Sequence, residues 1–333
     1  MIGFTRRQTV EAILDRRPMA PRAGGRAFAP ANIALCKYWG KRDEELNLPR
    51  NGSLSVSLGD LGSEAELSAI DAPADAVELG GRPLPPAAPF AARVSGYLDL
   101  FRPSPSFRFR LRTRNTVPTA AGFASSASGF AALALALDDL FGWRLPPERL
   151  SVLARLGSGS ACRSVFPGFV EWVAGEREDG LDSAARPLPE TWPSLRVGLW
   201  TVSEDEKPVG SRAGMKATVE TSPLYPAWPG TAARDLEAIR AAIRARDVEA
   251  LGRAAEGNAL AMHATMIAAR PALCYWRPES VRAMDAVRAA RADGVPVYFT
   301  MDAGPNLKLL FEGAAEADVT GRFPGLRVVR PFA

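Results

Sequence analysis

An uncharged run from Thr119 to Leu137, entered through Pro118, sets the first limit on the architecture of this chain. It is long enough to span a bilayer, but Ala, Gly and Ser fill much of it. Such weak hydrophobicity suits a helix buried among other elements better than one facing lipid. The chain has the means to bury it. Its 333 residues are 47% hydrophobic and 23% charged, an ordinary composition for a soluble globular protein. That length supports a sizeable core without disulfides or metals, and about two domains.

The patterns on either side predict what encloses that helix. Residues 1–26 read as a short amphipathic helix followed by a Pro/Gly/Arg linker. Arg6, Arg7, Glu11, Asp15, Arg16 and Arg17 interrupt every apolar stretch there, so an export signal is not expected. Residues 53–70 alternate apolar and polar as paired strands do. Phe107, Phe109 and Leu111 alternate with Arg108, Arg110 and Arg112, giving a strand with one apolar and one basic face. A Pro-rich stretch near 187–194 marks a hinge, and a strand from Leu195 to Val202 opens a second half. Leu236, Ile239 and Ile243 form one helical stripe there; Val248, Leu251, Ala255, Met262 and Met266 form another. Residues 295–300 read as a buried strand running into Asp302. No repeat of solenoid period is present. The class is α+β, with helices covering antiparallel-type strands.

Composition narrows function by exclusion. Lys plus Arg total 41 against 37 Asp plus Glu, a net charge of +4, which rules out a long basic tail. The Arg face of residues 108–112 reads as a solvated strand face, and no RNP-like motif supports nucleic-acid binding. The single histidine, His263, excludes a His-rich metal site and an HExxH zinc site. Cys36, Cys162 and Cys274 lie far apart with no CxxC, as expected of reduced thiols in a cytosolic protein. His263 sits beside Met262 on an apolar stripe. With no GxSxG elbow for it to serve, a structural role is expected.

Several short segments carry residues suited to binding anions. Pro118 to Ala127 places small residues before a helix, where backbone N–H groups and the positive helix end favour phosphate. Close helix packing accounts for the same residues equally well, and no GxxxxGK[ST] loop is present. Lys37 and Lys41 flank Tyr38-Trp39-Gly40, Arg163 follows Gly157-Ser158-Gly159-Ser160, and Arg212 precedes Ala213-Gly214. Each pairs readily with phosphate or carboxylate, and each also suits an ordinary surface charge. Asp302, at a strand end, is placed either to meet a ligand or to cap its turn.

Five blocks in order then carry a resemblance. They are Ala29-Pro-Ala-Asn-Ile-Ala-Leu-Cys-Lys-Tyr-Trp-Gly-Lys-Arg-Asp43 with Leu46–Asn51, Pro118–Ala127, Gly157–Ser164, Gly168–Trp172, and Met301–Asn306. Together they resemble the diphosphomevalonate decarboxylases of the GHMP kinase superfamily.

The resemblance implies a two-lobed α+β GHMP kinase fold with antiparallel or mixed sheets covered by helices. It divides the chain into an extension (1–26), an ATP-binding lobe (27–190) and a C-terminal lobe (191–333). It implies an ATP- and Mg²⁺-dependent decarboxylase of the mevalonate pathway of isoprenoid biosynthesis. The C3 hydroxyl of a 5-phosphorylated mevalonate is phosphorylated, then phosphate and CO₂ leave.

Site roles follow from the same resemblance. Asp302, Lys37 and Ser126 are implied as catalytic, with Asp302 facing the C3 hydroxyl as base or orienting group. Arg163 is implied for the C1 carboxylate. Tyr38, Lys41, Ser158, Gly159, Ser160 and Arg212 are implied around the 5-phosphoryl end, with Asn32 placing the substrate. Pro118, Ala121, Gly122, Ala124, Ser125 and Ser126 are implied for ATP, and no metal ligand is assigned. A cytoplasmic homodimer acting on a small phosphorylated substrate, with neither nucleic acid nor membrane as partner, completes the expectation. The pattern departs from the family at Asn51-Gly52-Ser53 and in the short stretch after Asp302. A phosphomevalonate decarboxylase, a mevalonate-ester 3-kinase and a degenerate binding protein on the same scaffold are the alternatives.

Overall fold

A computed structural model describes residues 3–116, 125–203 and 209–332. The uncharged run becomes α3 (Ser125–Phe141), preceded in the chain by α1 (Arg6–Leu14) and α2 (Pro89–Leu98). Ala127, Phe130, Ala131, Ala134, Leu137 and Leu140 of α3 are all buried, as expected for a helix enclosed by protein. α3 packs on β1 (Gly25–Cys36) and on β4 (Ser53–Ile70). Between those two strands runs a small hairpin of β2 (Lys41–Asp43) and β3 (Leu48–Pro49).

The rest of the first half is β5 (Ala76–Leu79), β6 (Arg82–Leu84), β7 (Arg108–Asn115), α4 (Pro147–Gly157), a 3₁₀ segment (Gly159–Val165), β8 (Phe169–Trp172) and β9 (Ala185–Pro187). Its strands form one seven-stranded sheet in the order β6-β5-β7-β4-β8-β9, with β1 also paired to β4. The β5–β7 pair is parallel and the other pairs are antiparallel, so the sheet is mixed.

Residues 53–70 are a single strand, not the expected pair. The register with β1 jumps from Asn32↔Ser57 to Pro30↔Gly62, so residues 58–61 bulge around Gly59, whose φ is +60°. One bent strand therefore serves two sets of partners: β8 before the bulge and β7 after it. The alternation remains legible. Ser53, Ser55 and Ser57 face one way, Leu54, Val56 and Leu58 the other, and all six are buried.

The second half holds β10 (Leu195–Trp200), α5 (Ser211–Thr221), α6 (Trp228–Ala245), α7 (Val248–Ile267), α8 (Pro278–Ala292), β11 (Val297–Met301), β12 (Leu307–Glu312), α9 (Glu316–Arg322) and β13 (Arg327–Val329). Its antiparallel sheet runs β11-β12-β10-β13. One apolar core joins the halves, with Ile33, Leu54 and Val56 sharing a cluster with Val197, Leu236, Ile239, Leu251, Met262 and Leu310. The two sheets are thus held at a fixed distance, and the cleft between them is a packed feature of the fold.

α1 lays Val10, Ile13 and Leu14 into the core of the first half. β7 behaves as expected, with Phe109 and Leu111 buried and its arginines outward, where Arg114 pairs with Glu64 and Arg112 with Glu78. Among the described residues no helix is long and apolar enough to cross a membrane.

Candidate active site

The two halves enclose a cleft of about 380 Å³. Asn32, Lys37, Tyr38, Lys41, Ser126, Ser158, Gly159, Ser160, Arg163, Arg212 and Asp302 all line it, although they are scattered along the chain. Pro118, Ala121, Gly122 and Ala124 lie outside the described residues, and Ser125 is described only as the first residue of α3. Asp302 is the only acid among the described lining residues, against the cations Lys37, Lys41, Arg93, Arg163 and Arg212.

At one end both oxygens of Asp302 are held. Lys37 Nζ lies 2.9 Å from Oδ1 and Lys308 Nζ lies 3.0 Å from Oδ2. Burial pushes the Asp302 carboxyl up, but Lys308 and Lys37 outweigh it and hold the group well below the usual carboxylate range. The side chain still opens to the cleft, at 39% exposure, whereas the two lysine side chains are 2% and 4% exposed. Burial lowers the Lys37 pKa, Asp302 opposes that shift, and Lys308 reinforces it.

Lys37 is fixed from behind. Its N–H donates to Asn258 Oδ1 at 2.7 Å, its carbonyl accepts from Asn51 Nδ2 at 2.8 Å, and its ammonium also donates to the Ala34 carbonyl at 2.7 Å. His263 is buried behind Asp302, with Nε2 3.0 Å from the Asp302 carbonyl oxygen. Burial lowers its pKa to about 4, so near neutral pH the ring is uncharged and Nε2–H donates to that carbonyl. It positions the backbone and does not face the cleft chemistry.

Arg163 presents a different electrostatic situation. It is buried, and its guanidinium donates to Ser55 Oγ at 3.1 Å, Ser53 Oγ at 2.5 Å and Asn32 Oδ1 at 3.3 Å. These partners are neutral, and no carboxylate pairs with it among the described residues. A buried cation solvated only by hydroxyls and an amide is suited to receive an anion. Asn32 is itself oriented, donating from Nδ2 to Ser164 Oγ at 2.7 Å.

At the other end Lys41, Arg93 and Arg212 converge. Lys41 Nζ is buried and paired to Glu44 at 2.7 Å. Arg93, on α2, donates to the Gly157 carbonyl at 2.9 Å and lies over the Phe130 ring at 4.6 Å. Burial, helped by the nearby Arg212, lowers its pKa to about 10. Arg212 is exposed at the start of α5.

Tyr38 stacks edge-on to Trp172, and its buried hydroxyl has no partner among the described residues. A side chain at residue 159 would put Cβ 2.9 Å from that hydroxyl, so glycine is required there. Gly40 is similarly constrained, at φ +96° with Tyr225 in the space a Cβ would take. Among the described residues no three or more His, Cys, Asp or Glu cluster to hold a metal.

Sequence reasoning missed Arg93, Lys308 and the serine face of β4. Arg93 lies in no glycine-rich motif, and only its place on a helix with a buried face hinted at it. Lys308 left a clearer signal, as the lone charge within the apolar strand Leu307–Phe311.

Comparison with known proteins follows the same outline. A family model described as the diphosphomevalonate decarboxylase-like N-terminal domain matches residues 29–185. Another, the mevalonate 5-diphosphate decarboxylase C-terminal domain, matches residues 198–324. The diphosphomevalonate decarboxylase of Bos taurus is 41% identical over 300 residues, 84% of this chain and 74% of that protein. The Homo sapiens enzyme is 40% identical over 308 residues, 86% of this chain and 76% of that protein. Among solved structures, mevalonate diphosphate decarboxylase from Staphylococcus aureus superposes with a TM-score of 0.88 at 37% identity, covering 93% of this chain and 96% of that one. A structure described as MDDEF in complex with MVAPP, AMPPCP and magnesium gives a TM-score of 0.84 at 40% identity, covering 93% and 98%.

Proposed function

The chain belongs to the diphosphomevalonate decarboxylase family, and we propose that it converts 5-diphosphomevalonate to isopentenyl diphosphate, CO₂ and phosphate at the expense of one ATP. The observation that carries this reading is one charge-clamped carboxylate, Asp302, with a buried guanidinium, Arg163, that no carboxylate pairs among the described residues, in a cleft whose other described charged lining residues are cations.

The substrate is a polyanion with a carboxylate at one end and phosphoryl groups at the other. Arg163 takes the C1 carboxylate in bidentate fashion. Lys41, Arg93 and Arg212 hold the phosphoryl end, with Tyr38, Ser158 and Ser160 as hydroxyl donors and Gly159 giving room. That anchoring brings the C3 hydroxyl to Asp302, which accepts its hydrogen bond and aims its oxygen at the γ-phosphoryl of ATP. A carboxylate held by Lys37 and Lys308 is a weak base, so it orients first and takes the proton only as the new P–O bond forms. This order suits a loose phosphoryl-transfer transition state. Lys37 stabilises the developing charge.

The C3–O bond then breaks with phosphate as the leaving group, the C1–C2 bond supplies the electron pair of the new double bond, and CO₂ departs. Arg163 is not stranded when its carboxylate becomes neutral CO₂, because Ser53, Ser55 and Asn32 continue to accept from it. Ser126 and Ser125, with Pro118, Ala121, Gly122 and Ala124, are assigned to the ATP phosphates at the head of α3. The cationic cleft fits a nucleotide polyphosphate, and Mg²⁺ bound through those phosphates supplies further charge neutralisation.

The same reading keeps the lobe boundaries at 27–190 and 191–333, a homodimer and a cytoplasmic location; light scattering tests the dimer. The deciding experiment supplies ATP-Mg²⁺ with mevalonate, 5-phosphomevalonate and 5-diphosphomevalonate in turn, scoring ADP and CO₂ separately. Stoichiometric ADP and CO₂ with the diphosphate alone is expected. ADP without CO₂ makes the protein a 3-kinase, and CO₂ with the monophosphate reassigns the substrate.

A further inference from the structure

Lys308 is a cation in an unfavourable place. It lies in β12 between Leu307 and Leu309, both fully buried, and pairs across the sheet with Thr300 of β11, also fully buried. A lysine is seldom buried without a partner. Its carboxylate partner Asp302 is gripped at both oxygens, by Lys37 at Oδ1 and by Lys308 at Oδ2.

Lys37 and Lys308 also approach from different sheets. Lys37 follows the last residue of β1 in the seven-stranded sheet, and Lys308 belongs to the four-stranded one. Their grip on separate oxygens leaves Asp302 no free rotation about its carboxylate and ties its position to both halves. Both oxygens keep lone pairs toward the cleft.

We propose that Lys308 is a positioning residue for the phosphoryl-transfer step, locking Oδ2 of Asp302 so that the carboxylate presents one fixed edge to the C3 hydroxyl. This rests on the function proposed above. Among the described residues, the charged and titratable groups facing Asp302 are Lys37 after β1, Lys308 on β12, Arg163 on the 3₁₀ segment and His263 on α7, the last meeting its carbonyl.

The test compares the full-length parent with Lys308→Met and Lys308→Gln, measuring kcat, KM, the pH dependence of kcat and Tm. Lys308→Met should lower kcat by roughly tenfold to a hundredfold with substrate KM changed by less than about threefold, since misplacement of a reacting group acts on the chemical step. Lys308→Gln, which keeps a donor, should recover part of kcat. In both variants the acid limb of kcat should move to higher pH by roughly one unit or more, because one of two cations holding Asp302 ionised is gone. Tm should fall in both variants, since a buried ion pair is broken; a merely structural lysine would lower Tm without moving the pH profile of kcat or separating kcat from KM.

If Lys308→Met fails to fold, Lys308→Gln carries the same predictions. Parent-like kcat and pH profiles in both variants would overturn the proposal. So would a raised KM at unchanged kcat, which would mean that Lys308 touches substrate directly. A parent without decarboxylase activity refutes the proposed function instead, and the two failures are therefore distinguishable.

Discussion

The two ends of the cleft solve opposite electrostatic problems. Around Asp302 the charges are buried and already matched: Lys37 and Lys308 sit at 2.9 and 3.0 Å, and Asn258, Asn51 and His263 hold the backbone behind them. At the phosphoryl end, Lys41, Arg93 and Arg212 converge, and among the described residues Glu44 is their one paired carboxylate and the Tyr38 hydroxyl has no partner. The first end is pre-organised, so substrate finds its geometry already set. The second is under-compensated, and its favourable energy appears only when an anion arrives. Changes at the first should therefore strike turnover, and changes at the second should strike affinity.

The largest effect is expected at Asp302. Asp302→Asn keeps size and removes charge, so kcat should fall by a factor on the order of 10³ or more while substrate affinity stays within about tenfold. ADP and CO₂ formation should fall together, because phosphorylation comes first. ADP at the parent rate without CO₂ would move the role of Asp302 to the later step and break the contrast between the ends. Lys37 and Lys308 would be left without their carboxylate, so circular dichroism must accompany the kinetics.

Arg163 comes next and belongs to both regimes. It is buried like the reacting end, yet no carboxylate pairs with it among the described residues. Arg163→Met should lower kcat/KM by about 2–5 kcal/mol in transition-state terms, the cost of leaving a desolvated carboxylate unpaired. If isothermal titration showed substrate bound as tightly as to the parent, the carboxylate would have to sit elsewhere.

The phosphoryl end gives a graded pair. Arg93 and Arg212 are both exposed, but Arg93 is anchored to the Gly157 carbonyl and over the Phe130 ring, where its pKa is lowered to about 10. Arg93→Met should raise KM by roughly tenfold to a hundredfold, and Arg212→Ala by several-fold at most, both with kcat nearly unchanged. Inversion of that order, measured with 5-diphosphomevalonate, would show that the anchoring of Arg93 does not govern the contribution.

What the sequence disclosed divides along the same line. Elements with a strong period were legible: the enclosed α3, the stripes of α6 and α7, and β7 with its arginines outward. The motif residues from Asn32 to Asp302 were reached through the family resemblance, because glycine and serine beside cations suit a surface charge as well as an anion site; the fold gathers them along one cleft. The bend in β4 was not, because alternation survives a bulge and looks the same in one strand as in two. The alternation did not show that Ser53, Ser55 and Ser57 are all buried, or that Ser53 and Ser55 accept hydrogen bonds from Arg163. Burial depends on what a distant segment places opposite, here the 3₁₀ segment at 159–165. Lys308 and Arg93 were missed for a related reason. Their partners lie on other elements, so no local pattern records the pairing.

His263 gives the smallest effect on rate and tests whether the support behind Asp302 is structural. Its neutral ring donates to the Asp302 carbonyl, and Gln can offer an N–H from a similar position. His263→Gln should therefore leave kcat within about tenfold, at most ~1.4 kcal/mol in barrier. Stability tells more. Burial holds the folded-state pKa near 4, against 6.5 for the free side chain. Above pH 6.5 the ring is neutral in both states and contributes no slope. As the pH falls from 6.5 to about 4, the unfolded chain gains a proton that the folded chain refuses, so stability is lost across that window. The loss amounts to about 3 kcal/mol at its full extent. Asp302 adds little there, because its lysines hold it ionised well below the usual carboxylate range. Urea midpoints measured from pH 7 to 4 should fall less steeply in His263→Gln than in the parent. Parallel curves would mean that the ring protonates in place at Nδ1, with Nε2–H still donated to the Asp302 carbonyl.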